Sequence, residues 1–95
     1  MAFSWDPHKA RANLRQHGVS FEEAETVFLD EYAILIHDPD PDGEEDRFVL
    51  LGLSGVARVL VVCHCVWGQG GTIRLINARR ATKHEQGQYL ERLRR

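Results

Sequence analysis

The chain has few of the features that mark secreted or membrane-spanning proteins. Its 95 residues include two cysteines, three prolines and one methionine. No apolar run approaches the roughly 20 residues that cross a bilayer, and the N-terminus lacks the apolar stretch of a secretory signal. The apolar and charged fractions, 43% and 27%, are those of an ordinary globular protein. We therefore expect a single cytoplasmic domain spanning residues 1–95, with no membrane segment.

The scarcity of cysteine argues against a disulfide framework or a metal site. Cys63 and Cys65 flank His64 within an apolar run. At positions i and i+2 of a strand the two thiols point to the same face, which disfavours a bond between them. His64 faces away, and no second pair of zinc ligands is evident. The sequence therefore predicts two buried reduced thiols, no metal site and no cofactor.

Positive charge is not abundant overall, but it is concentrated near the C-terminus. The chain carries 12 Lys and Arg against 14 Asp and Glu, for a formal net charge of −2. Residues 72–95 hold seven of these cations and two of the acids, whereas residues 1–71 hold five cations and 12 acids. A local basic surface of this kind suits an anionic partner, such as a nucleic-acid backbone.

Capping residues predict three helices. The first begins at Asp6 and Pro7, an N-cap residue followed by proline at the first helical position, and Gly18 ends it. The second and third begin at residues 20–23 and 82–85, which both match the capping box. Apolar residues at helical spacing should pack these two helices on a sheet: Phe21, Ala24, Val27 and Phe28 in one, and Tyr89, Leu90 and Leu93 in the other.

Short strands complete the pattern. They are predicted from apolar stretches bounded by turn residues, at positions 3–5, 33–37, 47–53, 58–66 and 72–78. The acidic segment 38–46 is rich in turn residues and is expected to be a loop. The order β-α-α-β-β-β-β-α predicts an α+β fold in which helices pack on a small antiparallel sheet.

The last predicted strand contains two arginines, Arg74 and Arg79, and arginine is unusual in a packed sheet. Alternation places Arg74 on one face with Ala78, and Arg79 follows at the end of the strand. Because an unpaired buried guanidinium is costly, these residues either bind an anion or pair with an acid, such as Glu85 or one in the acidic segment. The same alternatives apply to Arg58 at the start of the preceding strand.

Further polar groups are candidates for the same site. Lys9, Asn13 and His17 lie at i, i+4 and i+8 of the first helix and so share a face, close to Trp5. This stripe is either solvated or part of a site in which an aromatic ring and cations hold a base and its phosphate. Tyr89 is either a site residue or a core residue with its hydroxyl at the rim.

The chain resembles the BrnT family of bacterial type II toxins over nearly its whole length. The matching motifs are FSWDPHKA at 3–10, HGVSFEEA at 17–24, RFVLLG at 47–52, RVLVV at 58–62 and IRLINARRAT at 73–82, with Glu85 and Tyr89 beyond them. Two positions depart from the family pattern. Trp67 stands where a charged residue is frequent, which alters the expected contacts with substrate, and Asn77 stands where serine is common.

The resemblance implies a RelE-like fold and a metal-independent endoribonuclease that arrests growth. It also implies a cognate BrnA-like antitoxin with a ribbon-helix-helix part, and binding of operator DNA only through the toxin–antitoxin complex. The competing interpretation is a non-catalytic interaction module, whose basic surface binds an antitoxin or a co-repressor.

Metal-free cleavage of RNA needs a base for the 2′-hydroxyl, cations for the phosphate and an acid for the leaving 5′-oxygen. The catalytic candidates are Arg79 and Arg74 as phosphate clamps, His64 or His17 for proton transfer, Lys9 for developing charge, and Glu85 as a base or as a group that orients an arginine. The candidates for RNA contacts are Arg58, Arg80, Trp5 and Tyr89.

Overall fold

The structure is a computed structural model that describes residues 1–39 and 46–95. Its elements are β1 (Phe3–Ser4), α1 (Pro7–His17), α2 (Phe21–Thr26) followed by a 3₁₀ turn (Val27–Leu29), β2 (Ile34–Pro39), β3 (Asp46–Leu53), β4 (Val59–Trp67), β5 (Thr72–Arg80) and α3 (Lys83–Leu93). The predicted order of elements is confirmed. Both β2 and β3 reach into the segment expected to be an acidic loop, and the rest of that segment, residues 40–45, lies outside the described residues.

The strands form one five-stranded sheet in the order β1-β5-β4-β3-β2. Strands β2 to β5 pair antiparallel with their neighbours along the chain, as the short connections predict. Strand β1 instead pairs parallel with β5, through Phe3 and Ser4. The sheet is therefore mixed rather than wholly antiparallel, because β1 is not joined to β5 by a hairpin that would force the antiparallel direction.

Capping chemistry sets the ends of α1 and α3 as the sequence predicts. The Asp6 side chain caps the first turn of α1, and Gly18 ends that helix with a φ of 69°. Thr82 and Glu85 form a complete capping box at the start of α3. These contacts satisfy backbone groups that a helix end leaves unpaired.

The two faces of the sheet are buried to different extents. The first face carries the main core beneath α1 and α2, formed by Val19, Phe21, Ala24, Val27, Leu50, Leu60, Val62, Leu75 and Ala78. The second face is covered at one end by α3, where Tyr89 packs with Leu51 and Val61. Leu90 and Leu93 were expected in this contact, but they are 52% and 42% exposed. Tyr89 is the one buried residue of α3.

A β-bulge interrupts the pairing of β4 with β5. The register shifts between Cys63 and His64 of β4, which leaves Ile76 of β5 as an extra residue. Leu75 and Ala78 both lie in the main core as a result, although they are three residues apart. A bulge of this kind reverses the alternation of side chains beyond it and can turn a side chain towards a site.

Candidate functional site

The bulge brings the two arginines of β5 to the same face of the sheet. Arg74 pairs with Cys65 and Arg79 with Val61, and these partners are four residues apart on β4. An uninterrupted strand would place side chains five residues apart on opposite faces. Arg74 and Arg79 instead share the second face, while Ala78 turns into the core, so the predicted grouping of Ala78 with Arg74 is wrong.

Arg79 is held against the start of α3 by Glu85. Nη1 and Nη2 of Arg79 donate hydrogen bonds to Oε1 and Oε2 of Glu85, at 2.8 and 2.9 Å. Oε1 also accepts from the backbone N–H of Thr82 at 2.8 Å, which is half of the capping box. The guanidinium lowers the pKa of Glu85 to about 2, and the carboxylate raises the pKa of Arg79. Glu85 is therefore an orienting group, too weakly basic to take a proton near neutral pH.

Arg74 lies further along the same face and has different partners. Its guanidinium carbon is 4.8 Å from the centroid of the Trp67 ring, and Nη1 donates to Oγ of Ser4 at 3.2 Å. Within residues 1–39 and 46–95, no acid lies within salt-bridge distance of Arg74. Of the two alternatives left by the sequence, pairing with an acid holds for Arg79, and for Arg74 no such pair is found among the described residues.

Helix α1 brings Lys9 and His17 to this face. The helix is fixed by the buried side chain of Asn13, whose Nδ2 donates to the carbonyls of Val19 and Ala78 at 2.9 and 2.8 Å. Its Oδ1 accepts from the N–H of Ala78 at 3.1 Å. Asn13 thereby satisfies the edge of β5 beyond the short pairing with β1. The polar stripe of α1 consequently lies along β5 and is not simply solvated.

Two adjoining cavities open between α1 and the second face. The first, here named the Arg79 cavity, has a volume of about 490 Å³ and is lined by residues that include Lys9, His17, Ile76, Asn77 and Arg79. The second, the Trp67 cavity, has a volume of about 350 Å³ and is lined by residues that include Lys9, Arg47, Cys65, Trp67, Arg74 and Ile76. Since both share Lys9 and Ile76, four cationic side chains line one surface, as an extended polyanion requires.

Arg47 is a residue of this surface that the sequence reasoning missed. It pairs with Cys65 across β3 and β4, in line with Arg74 on β5. Nη2 of Arg47 lies 4.0 Å from Asp38, and its Nε is buried without a hydrogen-bond partner among the described residues. The available signal was an arginine at the start of an apolar strand, but only the register shows which neighbours it has.

His64 and Tyr89 lie inside the protein and do not line the surface that carries Arg74 and Arg79. His64 is 3% exposed, its ring packs against Phe28 and Phe48, and burial lowers its pKa. Tyr89 is also 3% exposed and donates a hydrogen bond of 2.5 Å to Oδ2 of Asp30. Burial, together with this bond, raises the pKa of Tyr89 to about 12. Both side chains are part of the packed interior.

Arg58 is engaged in a structural ion pair, as one of the two alternatives anticipated. Its Nε and Nη2 donate to the carboxylate of Glu23, and Nη2 also donates to the carbonyl of Gly18. Glu23 accepts a further bond from Ser54. The predicted capping box at α2 is therefore only half formed: Ser20 caps the N–H of Glu23, whereas the Glu23 carboxylate takes the guanidinium, a stronger partner.

Trp5 and Arg80, the other two candidates for RNA contacts, lie apart from these cavities. Trp5 is partly buried against the main core, with its ring edge-to-face on Phe21 at a centroid distance of 5.8 Å. Arg80 is exposed and lines a separate cavity of about 290 Å³ with Arg58 and Gln86. Neither residue lines the surface that carries Arg74 and Arg79.

Two further features concern ligands and membranes. Within the described part of the chain, no group of three or more His, Cys, Asp or Glu side chains is placed to hold a metal ion. Cys63 and Cys65 are reduced thiols, as predicted, with Cys65 buried and Cys63 partly buried. No helix of the described residues is long and apolar enough to cross a membrane.

The structure is a small α+β domain whose mixed sheet carries cationic side chains along one face. Comparison with known families is more specific: the model of the ribonuclease toxin BrnT of type II toxin–antitoxin systems matches residues 5–85. The chain belongs to this family, which confirms the resemblance inferred from its motifs. Membership implies an antitoxin as partner.

The fold is also found in a solved structure, the 1.1 Å crystal structure of the Brucella abortus ribonuclease toxin BrnT. The two chains superpose with a TM-score of 0.67 at 21% sequence identity, over 87% of this chain and 99% of the Brucella chain. This likeness confirms the predicted fold class. No curated protein sequence matches the chain.

Proposed function

We propose that this toxin is a metal-independent endoribonuclease that arrests growth in the cytoplasm. The observation that carries the proposal is the Arg79 cavity, where an oriented guanidinium lies beside Lys9 and His17 on an open surface. Glu85 occupies three N–H groups of its two partners, Arg79 and Thr82. Another N–H of Arg79 reaches the carbonyl of Arg80 at 3.3 Å.

The remaining donors of Arg79 are those that a phosphate can use. A guanidinium has five N–H groups, of which Glu85 takes two and the Arg80 carbonyl one. Two N–H groups therefore remain for the scissile phosphate, and the pair with Glu85 fixes their direction before substrate binds. Preorganised donors of this kind stabilise charge that develops in the transition state.

Proton transfer in this proposal is assigned to His17. His64 is buried in the interior and Glu85 is tied to Arg79, so neither presents a usable base to the cavity. The His17 imidazole acts as general base and takes the proton of the attacking 2′-hydroxyl. As the 2′-oxygen bonds to phosphorus, the bond from phosphorus to the 5′-oxygen breaks, which leaves a 2′,3′-cyclic phosphate. Lys9 stabilises the negative charge that develops on the 5′-oxygen, and water supplies its proton.

The test is incubation of purified, antitoxin-free toxin with total RNA in excess EDTA. Wild type and the matched control His84→Gln, which changes an exposed histidine of α3, should degrade the RNA. Arg79→Ala and His17→Gln should leave it intact while retaining the wild-type circular dichroism spectrum. Intact RNA with the folded wild type, both alone and with translating ribosomes, would overturn the proposal in favour of the non-catalytic interaction module.

We further propose that the antitoxin is a BrnA-like ribbon-helix-helix protein and that operator DNA is bound only by the complex. The support is membership of the family together with the net positive second face, which suits an acidic partner. Gel-shift assays with operator DNA should show a shift with the complex and none with free toxin. A shift with toxin alone would contradict this assignment.

A further inference from the structure

The Trp67 cavity is built by a row of residues in register across four strands. Arg47 on β3, Cys65 on β4, Arg74 on β5 and Ser4 on β1 stand side by side. Cys65 is 1% exposed and forms the floor between the two arginines. Neighbouring strands are about 4.8 Å apart, so the arginines flank a gap of roughly 10 Å at the level of the backbone. A flat or extended ligand fits such a gap.

Arg47 in this row has a donor for which the described residues provide no acceptor. Its Nε is buried and makes no hydrogen bond within residues 1–39 and 46–95, and its nearest acid, Asp38, is at the limit of an ion pair at 4.0 Å. Buried polar groups of folded proteins are nearly always hydrogen-bonded. A phosphate oxygen at the cavity matches both the charge and the geometry of this guanidinium.

Trp67 supplies an aromatic surface beside this donor. The ring is 43% exposed, although a large aromatic side chain at a strand end would normally be covered. The guanidinium carbon of Arg74 lies over the ring at 4.8 Å from its centroid, within the range of a cation–π contact. Nucleobases stack on such groups with little regard to base identity.

We propose that the Trp67 cavity binds a nucleotide of single-stranded RNA that flanks the scissile phosphate. The base stacks on the Trp67–Arg74 pair, and the backbone phosphate binds Arg47 and Lys9. This inference rests on the proposed cleavage in the Arg79 cavity. The partners of Arg74 and Arg79 on β4 are four residues, about 13 Å, apart, so contacts in both cavities require a strand and not a mononucleotide. The toxin consequently prefers extended substrates and tolerates different bases next to the cut.

Direct binding of a 2′-O-methylated RNA octamer, which lacks the attacking hydroxyl, tests the proposal. The chain has two tryptophans, so a Trp5→Phe variant retains Trp67 alone as a fluorescent reporter. Its emission should change saturably on titration. In anisotropy measurements Trp67→Leu should bind roughly tenfold more weakly and Trp67→Phe close to wild type, since the stacking surface is what matters. Arg47→Gln should reduce the slope of log Kd against log salt by about 0.7, the value for one phosphate of a single strand.

Controls come from neighbouring positions. Val66→Ala changes the adjacent exposed residue of β4, and Arg92→Gln removes an exposed cation of α3; both should bind like wild type. Wild-type affinity in folded Trp67→Leu and Arg47→Gln, with loss of cleavage in Arg79→Ala, would overturn the subsite and leave the proposed function standing. A wild-type protein that neither binds the octamer nor cuts RNA would remove both.

Discussion

The ion pair of Glu85 with Arg79 predicts a specific loss of stability and activity in Glu85→Gln. The carboxylate accepts two bonds from Arg79 and one from the N–H of Thr82. Glutamine retains one acceptor oxygen and can still serve in a capping box, but its amide cannot accept the second guanidinium bond. The variant should therefore lose the charge-assisted pair, keep most of the helix cap and release the orientation of Arg79.

The magnitude follows from the pKa of Glu85, which the pair lowers from 4.5 to about 2. At about 1.4 kcal/mol for each pKa unit, the upper limit is roughly 3.5 kcal/mol of stability. The Arg79 side chain is 40% exposed, and solvent screening reduces this figure. We expect Glu85→Gln to lower the free energy of unfolding by about 1–2 kcal/mol at pH 7. Cleavage should fall at least tenfold, because a displaced Arg79 no longer meets the phosphate.

The pH dependence of the same difference gives a stricter test. Below pH 4.5 the unfolded chain protonates Glu85, whereas the folded chain retains the carboxylate until about pH 2. The stabilisation is therefore complete above pH 4.5 and is lost as the pH falls towards 2. Urea unfolding of wild type and Glu85→Gln at a series of pH values should show the two stabilities converging over this range. A difference that stays constant with pH, or is absent at pH 7, would refute the reasoning.

Two further substitutions separate structural from functional residues. Arg58→Ala should lower the free energy of unfolding by about 2 kcal/mol, because the largely buried carboxylate of Glu23 loses its cation. RNA cleavage by the folded fraction should be unchanged. Lost cleavage at wild-type stability would contradict this expectation. Tyr89→Phe should lower the free energy of unfolding, measured with urea, by only about 1 kcal/mol, because Asp30 keeps its hydrogen bond from the N–H of Leu53. RNA binding should stay within twofold of wild type. A larger loss of binding would indicate that Tyr89 is a site residue.

The parts of the fold that were predictable depend on interactions between residues close in sequence. Asp6, Gly18 and Thr82 act on backbone groups no more than four residues away, so their identities suffice to place the ends of α1 and α3. The hairpin turns are equally local. The direction of β1 is different, because it depends on where β5 lies after the meander has formed. The element order could therefore be predicted from the sequence, whereas the parallel pairing of β1 with β5 could not.

The site was predicted less completely because it depends on the bulge in β5. Regular alternation assigns Arg74 and Arg79 to opposite faces, and only the extra residue at Ile76 brings them together. No composition rule locates that residue. Arg47 was not predicted for a related reason. Its place beside Arg74 depends on its pairing with Cys65 on the next strand.

The histidines show the same limit. The sequence offered both His64 and His17 as candidates for proton transfer and did not decide between them. In the structure His64 points into the core, between Phe28 and Phe48, whereas His17 lines the cavity that contains Arg79. A histidine can exchange protons with a ligand only if its ring reaches the cavity. The position of each ring in the fold decides this, and residue type does not.

Pairing with an acid does not by itself separate a structural arginine from a functional one. Arg58 and Arg79 each bind a glutamate through two nitrogens. A third N–H of Arg58 donates to the Gly18 carbonyl, and the pair with Glu23 ties the residue before β4 to α2. Arg79 opens into a cavity that also holds Lys9 and His17. The distinction therefore rests on position: Arg58 joins α2 to the turn before β4, whereas Arg79 lies on the face that also carries Arg47 and Arg74, and a surface of that charge suits an anion.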